Sequence, residues 1–353
     1  MTLRTIDADA HVLEIPYTWE FMAESERKYA PMIVAQTSGA QKAANDGKNM
    51  QKEWWVVDGR LQPKDANVGH TTTSEEAREM RDIVGRLKHM DELEIDIQVL
   101  YPTLFLRPMT LKGQVETALV KSYNRWLAEI WKKGQGRLRW VAMPPLLEME
   151  KMRDELAWAK DNGACGIFMR GFEAEKRVTD PYFYPLYEAA QELDMPLCMH
   201  SGTNAFQIHD FFQDESGFNK FKLSVVGAFH ALLIEGVPTM FPKTRWGFVE
   251  VSAQWLPYVM NDLGLRFKRR GKRLSANPLK DNRMFVACQV TDDLGDIIKV
   301  SGEDNLVVGT DYGHHDTSTE IEALRMLKKD GKISSAAVDK ILGDNARALY
   351  GLS

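Results

Sequence analysis

The stretch GIFMRGFEAEKRVTDPYFYPLYEAAQELDMPLCMH, residues 166–200, reads as one strand–helix–strand unit. GIFMR (166–170) and PLCMH (196–200) are short, nearly continuous apolar runs, as expected of parallel strands covered on both faces. The segment between them, DPYFYPLYEAAQELDMP, carries a helical pattern that runs into the second strand. Working outward, the same alternation recurs. Strands are predicted around Ile6–Ala8, Ile97–Tyr101, Leu138–Met143, Trp246–Val251, Met284–Cys288 and Leu306–Gly309. Amphipathic helices lie between them, such as VETALVKSYNRWLAEIWKK and EMEKMRDELAWAKDNG, the latter ending on Asn162-Gly163. SEEAREMRDIVGRLKHMDELE begins with Ser74 and acidic residues, a good helix start. Eight strand–helix alternations predict an α/β fold, a (β/α)8 TIM barrel, as a single domain over residues 1–353.

Two segments fall outside that count. Residues 31–73 are polar, with KEWWVVDGRLQ suited to a small hairpin, and residues 202–219 follow the fifth strand. Both would leave strand C-termini, so they are expected to be inserted lid or substrate-binding loops on the C-terminal face.

Composition narrows the function. With 44% hydrophobic and 27% charged residues, the chain has an ordinary globular balance and ample core. A formal net charge of -5 gives no reason to expect nucleic acid or an anionic membrane as partner. The basic run LRFKRRGKR (265–273) is read as a solvated helix end or subunit contact. No apolar run is long enough for a membrane span, and the first residues carry no signal segment, so a cytoplasmic location is expected. The three cysteines, Cys165, Cys198 and Cys288, lie in apolar strands and are expected to be reduced and buried.

The chemistry is sought where a barrel keeps it, at the strand C-termini. The first strand ends with Asp9 and His11, two apart and on one face; the fifth ends with His200, the sixth with Glu250, and Asp311 follows the eighth. Burying that many carboxylates without a partner costs several kcal/mol each, so their joint occurrence predicts a metal site. Arg170 ends the fourth strand and is a candidate for holding a substrate carboxylate or for pairing with an acid of the site. His230, in GAFHALLIEG, lies on a helix before the sixth strand, and His314 follows Asp311 by three residues.

DADAHVLE, HMDELEIDIQVLYPT, YNRWLAEIW, RLRWVAMPPL, GACGIFMRG, GVPTMFPKTRWGFVEVSAQWLPY, VVGTDYGHHD and ILGDNARALYGL occur in this order along most of the chain. This ordered set resembles the amidohydrolase superfamily, in its amidohydrolase-related (family 2) branch. That branch includes enzymes similar to aminocarboxymuconate-semialdehyde decarboxylase and the metal-dependent aromatic acid decarboxylases. The resemblance implies a divalent metal on Asp9, His11, His200 and Asp311, with Asp311 as general base or proton relay. Asp9 stands where several decarboxylases have Glu, an accepted variant. Glu250 stands where several decarboxylating relatives have His, and a carboxylate cannot act as an imidazolium does. Glu250 or His230 would then assist Asp311, and Glu250, His230 and His314 are candidates for a second metal or for orienting the ligands.

The expected function is therefore metal-dependent hydrolysis or non-oxidative decarboxylation of a small, carboxylate-bearing cyclic or aromatic compound, by a homodimer. Zinc, manganese or iron would serve. The alternative is a non-haem oxygenase with two irons on the same barrel.

Overall fold

The computed structural model describes residues 5–35, 53–64 and 68–352. Eight parallel strands form one sheet in sequential order: β1 (Ile6–His11), β2 (Ile97–Tyr101), β3 (Leu138–Ala142), β4 (Ala164–Arg170), β5 (Leu197–His200), β6 (Trp246–Val249), β7 (Met284–Cys288) and β8 (Leu306–Val308). Their residues are almost all buried, since helices cover the outer face and the barrel core fills the inner one. The predicted strands and the (β/α)8 architecture stand. Cys165, Cys198 and Cys288 are buried free thiols, as expected.

The barrel closes between β1 and β8 just beyond the last strand residue. Ala10 bridges Tyr312 in parallel; the amide of Asp311 donates to Asp9 O (2.9 Å) and that of His11 to Tyr312 O (2.8 Å). Lower in the seam a side chain does the work of backbone. Asp7 accepts from the amide (2.9 Å) and hydroxyl (2.7 Å) of Thr310 and from Gln98 Nε2 (2.9 Å). Gln98 in turn accepts from Arg86 Nε (2.7 Å), and the Arg86 fork reaches His11 O at 3.3 Å while stacking on Tyr312. Gly309 permits the approach: a Cβ there would lie 2.3 Å from Cβ of Asp9.

In the 31–73 segment, Met32–Ala35, Glu53–Val57 and Arg60–Pro63 form a three-stranded antiparallel sheet. The hairpin foreseen in KEWWVVDGRLQ turns at Asp58-Gly59, both at positive φ, the pairing that a tight two-residue turn requires. Residues 36–52 and 65–67 of that segment lie outside the described residues. Asp58 ties the sheet to Thr110 and Lys112, Gln62 to Pro108 O, and Arg60 to Asp210. Among the described residues no helix is long and apolar enough to cross a membrane.

Candidate metal centre

Five buried side chains meet at the C-terminal mouth of the barrel: Asp9 and His11 from β1, His200 from β5, and Glu250 and Asp311 from the turns after β6 and β8. The ligand atoms of Asp9, His11, His200 and Glu250 lie within 4.8 Å of one another, as do those of His11, Glu250, Asp311 and His314. Glu250 and Asp311 reach this point only because their backbones turn through the left-handed region (φ 61° and 54°). That conformation costs a non-glycine residue about 1–2 kcal/mol, a strain characteristic of functional sites.

Backbone carbonyls fix the imidazoles. Nδ1 of His11 donates to Pro102 O (2.9 Å) and Nδ1 of His200 to Ser201 O (3.0 Å), so each ring presents Nε2 to the cavity. These Nε2 atoms face carboxylate oxygens. His11 Nε2 is 3.3 Å from Asp311 Oδ1, 3.5 Å from Asp9 Oδ1 and 3.8 Å from Glu250 Oε2. His200 Nε2 is 3.2 Å from both Asp9 Oδ1 and Glu250 Oε2. Lone pairs set against carboxylates attract only if a cation, proton or metal, sits between them. His11 Nε2 and Glu250 Oε2 are moreover buried with no hydrogen-bond partner among the described residues. Leaving such atoms unsatisfied is costly, and a divalent ion is the group that this donor set fits.

The protonation states show the same crowding. Burial works to raise the Asp9 pKa, but the adjacent His200 and His11 outweigh it and hold the carboxyl well below its usual range. Burial pushes Glu250 far upward, reinforced by Asp311, Asp316 and Asp9. Burial, with His314 nearby, lowers His11 to about 4. One more positive charge in the cluster would relieve all the acids at once.

His314 stands beside the ligands. Its Nδ1 is 2.9 Å from Asp311 Oδ1, and its ring stacks on His11. Its Nε2 donates to Thr103 Oγ1 (2.9 Å), because the Thr103 hydroxyl proton is already committed to Val12 O (2.8 Å). The other oxygen of Asp311, Oδ2, accepts from Thr319 (2.6 Å).

Two expectations are corrected. His230 does not reach the cluster: its Nε2 contacts Asp262 Oδ2 at 2.9 Å, linking the helix Ser224–Glu235 to the helix Leu256–Arg269 in the outer layer. Its ring nitrogens are not among the clustered ligand atoms of the described residues. Arg170 is not open to substrate. Its Nε and Nη2 bond Glu173 (both 2.7 Å) and its Nη1 bonds Phe105 O (2.6 Å), so the fork is spent inside the protein. The acid it pairs with, Glu173, is wholly buried and is not one of the cluster.

Asp7, Thr103 and Thr319 brace the site and were not singled out from sequence. Asp7 did have a signal, since it alternates with Asp9 and His11 in DADAH. The two threonines had none.

With the geometry in view, the comparisons place the chain. It belongs to the amidohydrolase family, whose model matches residues 6–352. No curated protein is detectably similar in sequence. Among solved structures, the chain is similar to an amidohydrolase from Mycobacterium avium subsp. paratuberculosis K-10 (TM-score 0.76, 18% identity, covering 99% of this chain and 100% of that one). It also resembles 5-carboxyvanillate decarboxylase from Sphingomonas paucimobilis (0.70, 16%, 100% of both chains). A third is the 5-carboxyvanillate decarboxylase from Novosphingobium aromaticivorans DSM 12444, complexed with manganese and 4-hydroxy-3-methoxy-5-nitrobenzoic acid (0.65, 19%, 79% of this chain and 85% of that one). At these identities the likeness is one of fold.

Proposed function

We propose that the protein is a metal-dependent hydrolase or non-oxidative decarboxylase acting on a small, carboxylate-bearing cyclic or aromatic compound. The observation that carries this reading is the pair of Nε2 lone pairs, His11 and His200, set against the oxygens of Asp9, Glu250 and Asp311 in a buried cluster. Asp9, His11, His200 and Asp311 would hold one divalent ion. Such an ion polarises a substrate oxygen or brings the pKa of bound water to about 7. Manganese suits the carboxylate-rich set, and the N. aromaticivorans decarboxylase was crystallised with it.

The chain supplies the proton handling. Asp311 accepts a proton on Oδ1, and His314, 2.9 Å away, stabilises either state of that carboxyl. Glu250, whose Oε2 lies 3.2 Å from His200 Nε2 at the mouth of the barrel, would serve as the proton donor. In a decarboxylation the C–C bond to the carboxylate breaks, CO2 leaves, and the ring carbon takes that proton. In a hydrolysis Asp311 takes the proton of the attacking water, and Glu250 protonates the leaving group.

One observation favours a second reading. His11, Glu250, Asp311 and His314 form an overlapping ligand group that would suit a second ion, as in a non-haem di-iron oxygenase. Elemental analysis of purified protein separates the two. One manganese or zinc per chain, lost with turnover in Asp311→Asn, is the expected result; two irons with oxygen consumption would overturn it.

A further inference from the structure

Above the cluster lies a cavity of about 410 Å³ lined by Glu250, Thr103, His314, Asp316, Arg107 and Lys222. Beside it lies a second of about 700 Å³, sharing Arg107 and reached by Lys220. Among the described residues none of these three cations is in an ion pair. Lys222 Nζ rests on the hydroxyls of Thr317 (2.9 Å) and Ser318 (2.8 Å). Lys220 Nζ rests on the carbonyls of Phe212 (2.9 Å) and Gln213 (3.2 Å). Among the described residues the Arg107 guanidinium has only the face of Phe221, 5.9 Å away. A guanidinium carries five donors in a fixed fork that matches a carboxylate, and this one spends none on the protein's own acids.

The chain invests heavily in holding Arg107 in place. Glu14 accepts the amides of Thr103 (3.2 Å) and Leu104 (2.8 Å). The amide of Thr203 holds Leu106 O at 3.0 Å. Arg170, locked on Glu173, donates to Phe105 O (2.6 Å) and, more loosely, to Arg107 O (3.5 Å). The backbone from 103 to 107 is thus held at each residue, and Arg107 lines both cavities. Lys220 and Lys222 come from a π-helical turn, Phe218–Leu223, the kind of local irregularity that proteins keep at functional sites. Acids line both cavities, Glu250 and Asp316 the first and Asp214 and Glu215 the second, yet among the described residues none of them pairs with Arg107.

We propose that Arg107, flanked by Lys220 and Lys222, is the specificity-determining residue that reads a second anionic group on the substrate. The substrate class is then a small dianion, a dicarboxylate, with one carboxylate at the ion and the other against Arg107. This rests on the metal-centred reading above, and extends it from the reaction to what is recognised.

The test uses two probes of one shape, benzene-1,3-dicarboxylate and its neutral-ended isostere 3-carbamoylbenzoate, titrated calorimetrically into the full chain with and without manganese. A charge-assisted contact predicts that the dicarboxylate binds at least about tenfold more tightly. Arg107→Gln should remove that advantage while the carbamoyl probe stays within about twofold. Arg107→Lys should keep part of it, and manganese content and melting temperature should not change in either variant. Equal affinity for the two probes in the wild type, equal weakening of both by Arg107→Gln, or no binding of either would overturn the proposal. A preference for the dicarboxylate in protein that holds no manganese would leave Arg107 in this role and sink the metal reading instead.

Discussion

The seam between β1 and β8 and the wall formed by the turns after β2 and β5 face the same space and are built in opposite ways. The seam concentrates acids and imidazoles whose free atoms point at one another, so it is complete only with a cation. The wall carries cations that rest on carbonyls, hydroxyls and an aromatic face, with no acid paired to them among the described residues. In both, charged groups face the cavity while hydrogen bonds hold the backbone behind them. Preorganisation lies in the backing, because donors already fixed cost nothing to reorganise when the ligand arrives.

That contrast can be broken from the back of the wall first. Arg170→Met strands Glu173, which is wholly buried, and removes the support of Phe105 O. A loss of about 3–5 kcal/mol in chemical denaturation is expected, largely recovered by adding Glu173→Leu. The double variant should still bind manganese but lose the dicarboxylate preference. If the preference survived, the wall would not depend on its backing.

The seam is sharpened by Gly309→Ala. The new Cβ would sit 2.3 Å from that of Asp9, so the aspartate must shift, and with it any ion it would hold. Misplacing a ligand in this way typically costs about 10–100-fold in metal affinity. Chelator competition should show that loss with the barrel still folded; an unchanged affinity would mean that Asp9 is not a ligand.

A smaller effect comes from Glu116, whose pKa is pushed up to about 7 by burial, with Glu173 adding to the shift and Arg170 opposing it. Its folded value lies above its unfolded one, so its contribution is fully present below about pH 4.5 and is lost as pH rises through about 7. Glu116→Gln, which keeps an acceptor for the amide of Leu147, should flatten that fall by roughly 1–3 kcal/mol, read as melting temperature at pH 5 and pH 8. An identical pH profile would show that Glu116 ionises freely.

Sequence served the seam far better than the wall. Asp9, His11 and His200 sit on strands, where side-chain direction follows from counting, and the barrel itself says which end they share. Glu250 and Asp311 were found because the one lies at the end of the predicted sixth strand and the other just past the eighth. His230 misled because a helix before a strand has one face toward the sheet and one away, and the partner on its outer side, Asp262, is distant in sequence. Arg170 misled in a different way. It does end a strand on the right face, but Glu173 takes the guanidinium first. Arg107 was illegible because it lies in an irregular turn after β2 whose path is set by Glu14, Arg170 and Thr203, three contacts that no local pattern announces.

The closure of the barrel at Ala10–Tyr312 has a thermodynamic consequence. The residues that join the last strand to the first are the immediate neighbours of Asp9, His11 and Asp311, and lower in the seam a side chain, Asp7, replaces ladder bonds. An ion held by these residues would therefore also brace the closure of the barrel. An ion that binds only the closed form stabilises the whole chain by mass action, in proportion to the logarithm of its concentration over its dissociation constant. Metal supply would then set how long the protein persists as well as how fast it works.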